Sequence, residues 1–203
     1  MKKILLATAL AAVSLGVTEA KWDGFYLRGG LTVTGNGVTS KLEDKAQSGD
    51  GFSLGSNIEI AGGWGATVAN NAVYLGVDAQ IGNFNVGYES RTIAAGVDAK
   101  SVTTVAWAPS AQVRIGAPLS TALPYVAAGL GYTKLVSKTD VTDLPEGKMA
   151  WSVRVGSDFK VTENFFVGLY GQFTKTFADK NDTTKVETAT SNTTVGFTAG
   201  WQF

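Results

Sequence analysis

The chain has 203 residues, one domain's worth and at most two, with 17 basic and 17 acidic side chains and a formal net charge of zero. That balance argues against a nucleic-acid binder, which needs a basic face to meet phosphates. Cys and His are both absent, which excludes disulfide scaffolds, thiolate and most imidazole metal sites, Cys nucleophiles and Ser–His hydrolases, so no catalytic, metal or cofactor-binding residue is expected. The loop acids Glu43, Asp44 and Asp50 have Lys41 and Lys45 among them and read as ordinary solvated charges, not a calcium site.

Residues 1–20 form an address. Met1-Lys2-Lys3 is basic, Ile4 to Val17 is uncharged and mostly apolar, and Thr18 and Ala20 place small residues at −3 and −1 of a cut before Lys21. This is the layout of a cleaved secretory signal peptide. The apolar run is too short for a membrane span, which needs about 20 residues. Val17, where a lipoprotein would have Cys, argues against a lipid anchor. Residues 21–203 are then the mature domain.

From Phe25 the chain alternates with the period of a strand. Phe25, Leu27, Gly29, Leu31 and Val33 oppose Tyr26, Arg28, Gly30, Thr32 and Thr34. Seven further segments repeat the pattern: Asn57–Trp64, Val73–Gly82, Val105–Ile115, Tyr125–Thr133, Met149–Phe159, Phe165–Thr174 and Thr194–Phe203. One face has no charge in any segment. The other has no Val, Leu, Ile, Met or Trp and carries Arg28, Glu59, Asp78, Arg114, Arg154 and Asp158, three cations against three anions. An eight-stranded barrel has room inside only for modest side chains, so the five Trp and most of the Phe do not fit there. Turned outward to lipid they do, and the complete absence of charge on that face matches the cost of about 2–4 kcal/mol for Lys or Arg at a bilayer midplane. The expectation is an all-β, eight-stranded antiparallel up-and-down transmembrane β-barrel with a polar lumen and an apolar outer face.

The connections alternate in length. Asn36–Phe52, Asn83–Thr103, Lys134–Lys148 and Lys175–Asn192 are long; Ala66–Asn71, Ala117–Leu123 and Val161–Asn164 are short. Short periplasmic turns and long external loops are the asymmetry of outer-membrane barrels. Aromatic residues then fall into two belts. Phe25, Trp64, Phe159, Phe165, Trp201 and Phe203 mark the periplasmic boundary; Trp107, Tyr132, Trp151 and Phe173 mark the outer one. Counted from the strand ends, Arg28, Glu59, Asp78 and Arg154 come out near one mid-depth, with Arg154 expected to pair with Asp78 or Glu59 and Arg28 to share the remaining acid. The cluster reads as a plug, with a gate as the other possibility.

Trp22-Asp23-Gly24-Phe25-Tyr26-Leu27-Arg28-Gly29-Gly30, Leu123-Pro124-Tyr125-Val126 with Gly129-Leu130-Gly131-Tyr132, and Val161-Thr162-Glu163-Asn164 resemble the small outer-membrane barrels of the opacity and OmpA-type class. The likeness is greatest to the porin-like surface antigens of α-proteobacteria. Terminal Phe203 with Trp201, Ala199 and Phe197 resembles the signal read by the barrel-assembly machinery. The chain departs from OmpA-type proteins in ending at Phe203, without a periplasmic peptidoglycan-binding domain. The resemblance implies export to a Gram-negative outer membrane, with membrane lipid and the assembly machinery as partners. It implies a surface structural or interaction protein whose loops meet a partner the sequence does not name; the alternative is a small, weakly conducting porin-like channel. A soluble lipocalin-like carrier needs an apolar lumen, which Arg28, Glu59 and Arg154 oppose. An enzyme is not expected, because barrel hydrolases use His as their base.

Overall fold

The computed structural model describes residues 21–42, 51–82, 88–94, 97–139, 142–177, 179–181 and 186–203. The described residues form ten strands: β1 (Gly24–Leu42), β2 (Gly51–Val68), β3 (Val73–Gly82), β4 (Tyr88–Ala94), β5 (Val97–Gly116), β6 (Ala122–Thr139), β7 (Thr142–Lys160), β8 (Phe165–Thr176), β9 (Asp179–Asn181) and β10 (Val186–Gln202). All pairings are antiparallel. β1, β2, β3, β5, β6, β7, β8 and β10 pair in that order, and β10 pairs with β1 from Tyr26↔Gln202 to Leu42↔Val186, which closes an eight-stranded wall. Closure removes both sheet edges.

The two additional strands revise the expected loops. β4 pairs with β5, from Tyr88↔Thr103 to Ala94↔Val97, and β9 pairs with β10. β1 and β2 run well into Asn36–Phe52, and β6 and β7 pair as far as Thr139↔Thr142. Most of each expected long loop is therefore hydrogen-bonded ladder. The apolar alternation ends, but the ladder beyond it still satisfies its backbone groups, in segments that hold β-branched residues such as Val38-Thr39 and Val186. At the opposite end the connections are tight. Ala69, Asn70 and Asn71 have φ of 54°, 56° and 64°, and the Val161 and Thr162 N–H groups both donate to the Phe165 carbonyl.

The wall is sheared. Partners followed around one row from Tyr26 run through Gly63, Asp78, Gln112, Gly129, Ser152, Thr174 and Asn192 and return to β1 at Asn36, ten residues along. Such an offset tilts every strand against the barrel axis. Residues that share a hydrogen-bond row thus lie at different depths.

The faces fall as the alternation requires. Leu31 is 67% exposed and Val77 53%, whereas Arg28, Arg114, Arg154 and Asp158 are each 1% exposed. The described outward positions between the aromatic belts carry no charge. Trp151 and Phe173 meet at 5.6 Å at one end and Phe165 and Trp201 at 6.4 Å at the other; the side chain of Trp107 lies outside those described, as do residues 1–20 and the acids Glu43, Asp44 and Asp50.

Gly24 opens β1 at φ +116°, and a Cβ there would stand 2.4 Å from the Phe203 carbonyl oxygen. Phe203 N–H donates to the Phe25 carbonyl beside it, at the seam that closes the barrel. Gly24→Ala is expected to cost about 1–3 kcal/mol through backbone strain at this seam, read as a lower urea midpoint for loss of the compact, fast-migrating form on unheated gels.

Candidate functional site

The interior is the site, and it is built in layers. At the end holding both termini, Trp22 precedes β1 and turns into the lumen. It stands edge-on to Phe166 at 6.4 Å, Phe166 stands edge-on to Tyr26 at 6.1 Å, and Tyr74 and Leu123 complete a buried apolar cluster. Lys160 projects into this mouth, with Nζ 5.2 Å from the Trp22 ring centre and donating to the Glu163 carbonyl at 2.5 Å. The strap before β1 is tied on both sides. The Asp23 carboxylate accepts the Thr67 N–H at 2.5 Å and its hydroxyl at 2.8 Å, and Gln202 Nε2 donates to the Asp23 carbonyl at 2.6 Å.

Above the apolar mouth lies the first charged layer. Arg28 Nη2 meets Asp78 Oδ2 at 3.2 Å, and Arg114 bridges two acids, Nε to Asp78 Oδ2 at 3.4 Å and Nη2 to Asp158 Oδ2 at 2.9 Å. The Tyr26 hydroxyl donates to Asp78 Oδ1. The Arg114 guanidinium lies 3.7 Å from the centre of the Tyr125 ring. A second layer follows outward. Arg154 Nη2 reaches Glu59 Oε2 at 3.4 Å and Gln80 Oε1 at 2.7 Å, its Nε donates to Gln172 Oε1 at 2.8 Å, and its guanidinium sits 3.8 Å over the Tyr170 ring. The Tyr170 hydroxyl donates to Glu59 Oε2. Each layer thus repeats one unit, an Arg stacked on a Tyr and held by acids, a geometry suited to the planar guanidinium.

All six charged residues singled out in the sequence therefore converge, but in two tiers. Of the pairings open in the sequence, Arg154 takes Glu59 and Arg28 takes Asp78. The single mid-depth is corrected by the register of the strands. Arg28 is level with Ala61 and Gln80 in register, while Asp78 lies two positions toward the termini and Glu59 two positions away from them. Counting from strand ends ignores that offset. Trp201 and Phe203 are on the outward face, 48% and 74% exposed.

Sequence reasoning missed the tyrosines as partners and the apolar mouth altogether. A signal existed for the first. Tyr170 is flanked in register by Gly156 and Gly196, and a Cβ on either would come within 2.8 Å of its ring or Cβ. Inward Gly beside inward Tyr is how a narrow lumen accepts aromatic rings. Phe166 could have been placed by parity alone, between outward Phe165 and Val167. Trp22 and Leu123 lie outside the expected segments, so no alternation pointed to them.

Beyond the second layer the lumen widens into a vestibule toward the outer strand extensions, with about 80 Å³ of space over Glu59, Gln80 and Gln172. Hydroxyls line its walls, among them Thr32, Thr34 and Ser152. Below it, Arg28 Nε and Nη1, Arg154 Nη1 and Asp158 Oδ1 have no protein partner. That surplus of donors and acceptors suits a hydrated core.

A closed, sheared eight-stranded wall with charge inside and apolar side chains outside is the arrangement that lipid on one side and water on the other demands. The family model described as outer membrane protein beta-barrel domain matches residues 4–203. The chain belongs to that family. Two of the solved structures similar in fold are described by name. Neisserial surface protein A is 13% identical, covers 89% of this chain and 97% of its own, and superposes with a TM-score of 0.52. OprG, an outer membrane protein of Pseudomonas aeruginosa, is 13% identical, covers 93% and 99%, and gives 0.51. No curated protein matches the sequence. The barrel is thus an outer-membrane protein; its apolar face meets lipid, and the tight turns, the start of β1 and the end of β10 lie on the periplasmic side. Lys175, exposed and two residues past Phe173, stands at the outer rim, where its amine reaches water.

Proposed function

We propose that the protein is a surface scaffold of the outer membrane, which anchors four strand-built arms that meet external partners, and that it is not a channel. The observation that supports this most is the sequence of layers across the lumen: an apolar mouth at Trp22 and Phe166, then Arg28–Asp78–Arg114–Asp158, then Glu59–Arg154–Tyr170. Side chains fill small barrels in this way, and a path for ions would have to break two charged tiers in succession. The extension of the strands past the outer aromatic belt supports the same reading, since rigid scaffolds present binding segments at low ordering cost. Neisserial surface protein A is by its name a surface protein, which agrees with this role for a similar fold. Residues 1–20 act in this account as a cleaved signal peptide, and Trp201 with Phe203 as the mark read by the assembly machinery.

Planar-bilayer recording tests the proposal. The purified barrel is expected to show no steady single-channel steps; sustained openings of the parent protein would overturn the scaffold reading and favour the porin-like alternative. Surface proteolysis of intact cells gives the complementary measurement, with cleavage expected in the arms and none in the turns at Ala69–Ala72 and Val161–Asn164.

A further inference from the structure

The strap ahead of β1 spans the seam that closes the barrel. In the eight-stranded wall, β1 with β10 is the pairing that joins the two ends of the strand order; every other wall strand pairs with its neighbour in the chain, apart from the added β4 and β9. Trp22 precedes β1 by two residues, and its ring stands 6.4 Å from that of Phe166 on β8. Counted through β2, β8 is six strands from β1; counted through β10 it is two. Six steps of open sheet span about 29 Å, at about 4.8 Å for each step. The Trp22–Phe166 contact therefore exists only once β10 has paired with β1. The Phe166 ring also leans over the seam. In register Phe166 faces Gly200 of β10, Gly200 faces Arg28 of β1, and a Cβ on Gly200 would stand 2.4 Å from Phe166 Cζ.

We propose that Trp22 is a latch on the β1–β10 seam, seated after the barrel has closed and holding it closed. Its socket is shared among strands that meet only across a closed lumen. Tyr26 of β1, Tyr74 of β3, Leu123 of β6 and Phe166 of β8 are buried with it, and Lys160 of β7 brings its ammonium to 5.2 Å from the ring centre. The backbone beside the ring is fastened on both sides of the seam. On one side the Asp23 carboxylate accepts from the N–H and the hydroxyl of Thr67 on β2; on the other the Asp23 carbonyl accepts from Gln202 Nε2 at the end of β10. The indole N–H has no protein partner, so ring packing holds the side chain in place. A contact formed after the rate-limiting step of folding leaves the folding rate alone and slows unfolding. The latch is thus a kinetic lock, set at the seam where a closed wall reopens without parting strands adjacent in the chain. It acts in the same way whatever the arms contact.

Amide hydrogen exchange of the folded full-length barrel in detergent micelles, followed by NMR, tests the latch together with folding and unfolding rates in lipid vesicles. In Trp22→Ala, amides of the seam pairs Tyr26↔Gln202 to Arg28↔Gly200 are expected to exchange about tenfold faster or more, while those of Val113↔Ala128 to Ile115↔Val126, opposite the seam, keep their protection. Folding, timed by the gain of heat-modifiable migration, is expected to stay within about twofold of the parent, and unfolding in urea to quicken about tenfold or more. Trp22→Phe keeps a ring against Phe166 and is expected to restore most of the protection at the seam. Unchanged seam exchange in Trp22→Ala, a rise of equal size opposite the seam, or folding slowed in proportion to the lost stability would each overturn the latch. So would a Trp22→Ala chain that no longer folds, or seam exchange in Trp22→Phe as fast as in Trp22→Ala.

Discussion

Arg114→Ala is expected to destabilise the barrel by about 3–5 kcal/mol, the largest effect of any single change in the lumen. Among the described residues Arg114 is the one cation that holds two acids, Asp158 at 2.9 Å and Asp78 at 3.4 Å, and all three side chains are at least 98% buried. Its removal strands Asp158, whose only described ion pair is with Arg114, and strips the Tyr125 ring of its stacked guanidinium. Arg28→Ala is expected to cost less, because Asp78 keeps both Arg114 and the Tyr26 hydroxyl. Lys175→Ala, at the exposed rim, is the control and is expected to stay within about 0.5 kcal/mol. Adding Asp158→Asn to Arg114→Ala should recover part of the loss, since an amide leaves no unpaired buried charge. Urea titration of the folded barrel in lipid vesicles measures all four, and a double mutant that is simply additive would show that the two residues do not interact.

On the other face, Val77→Arg is expected to destabilise by about 2–4 kcal/mol, and Val73→Arg by only about 0–1 kcal/mol. Val77 is 53% exposed and lies four residues farther into the membrane than Val73 on the same face of β3, so the guanidinium would enter the lipid. Val73 begins β3 directly after the turn at Ala69–Ala72, where an Arg reaches the periplasmic headgroups. Four residues along one strand separate the two positions, so they lie at different depths although they share a face. Equal costs at the two sites in the same vesicle titration would show that the bilayer is not centred where the aromatic belts place it.

The fold was legible because the bilayer inverts a simple rule and leaves it visible in every segment. Leu27, Leu31, Val77 and Val155 had to share one face, and Arg28, Glu59, Asp78 and Arg154 the other, since a one-residue slip would put charge into lipid. The strand extensions beyond the membrane were not legible. Val38-Thr39-Ser40-Lys41 reads as loop once the apolar face has ended, yet the ladder Val38↔Thr190 to Lys41↔Glu187 continues. The backbone still needs its partners where the alternation has ended.

The sequence by itself determined which residues enter the lumen and that their charges cancel, because parity along a strand decides the face and composition decides the sum. Only the tertiary structure decided who meets whom. The pairing of β2 with β3 sets Asp78 beside Gly63, four positions from Glu59, and the sheared closure brings Arg154 of β7 to Glu59 of β2 across the lumen. It also decided that Arg114 joins two acids and that Trp22, ahead of the first strand, closes the mouth against Phe166. Shear is a property of closure. It is set by how all eight strands pair at once, and no single strand carries it.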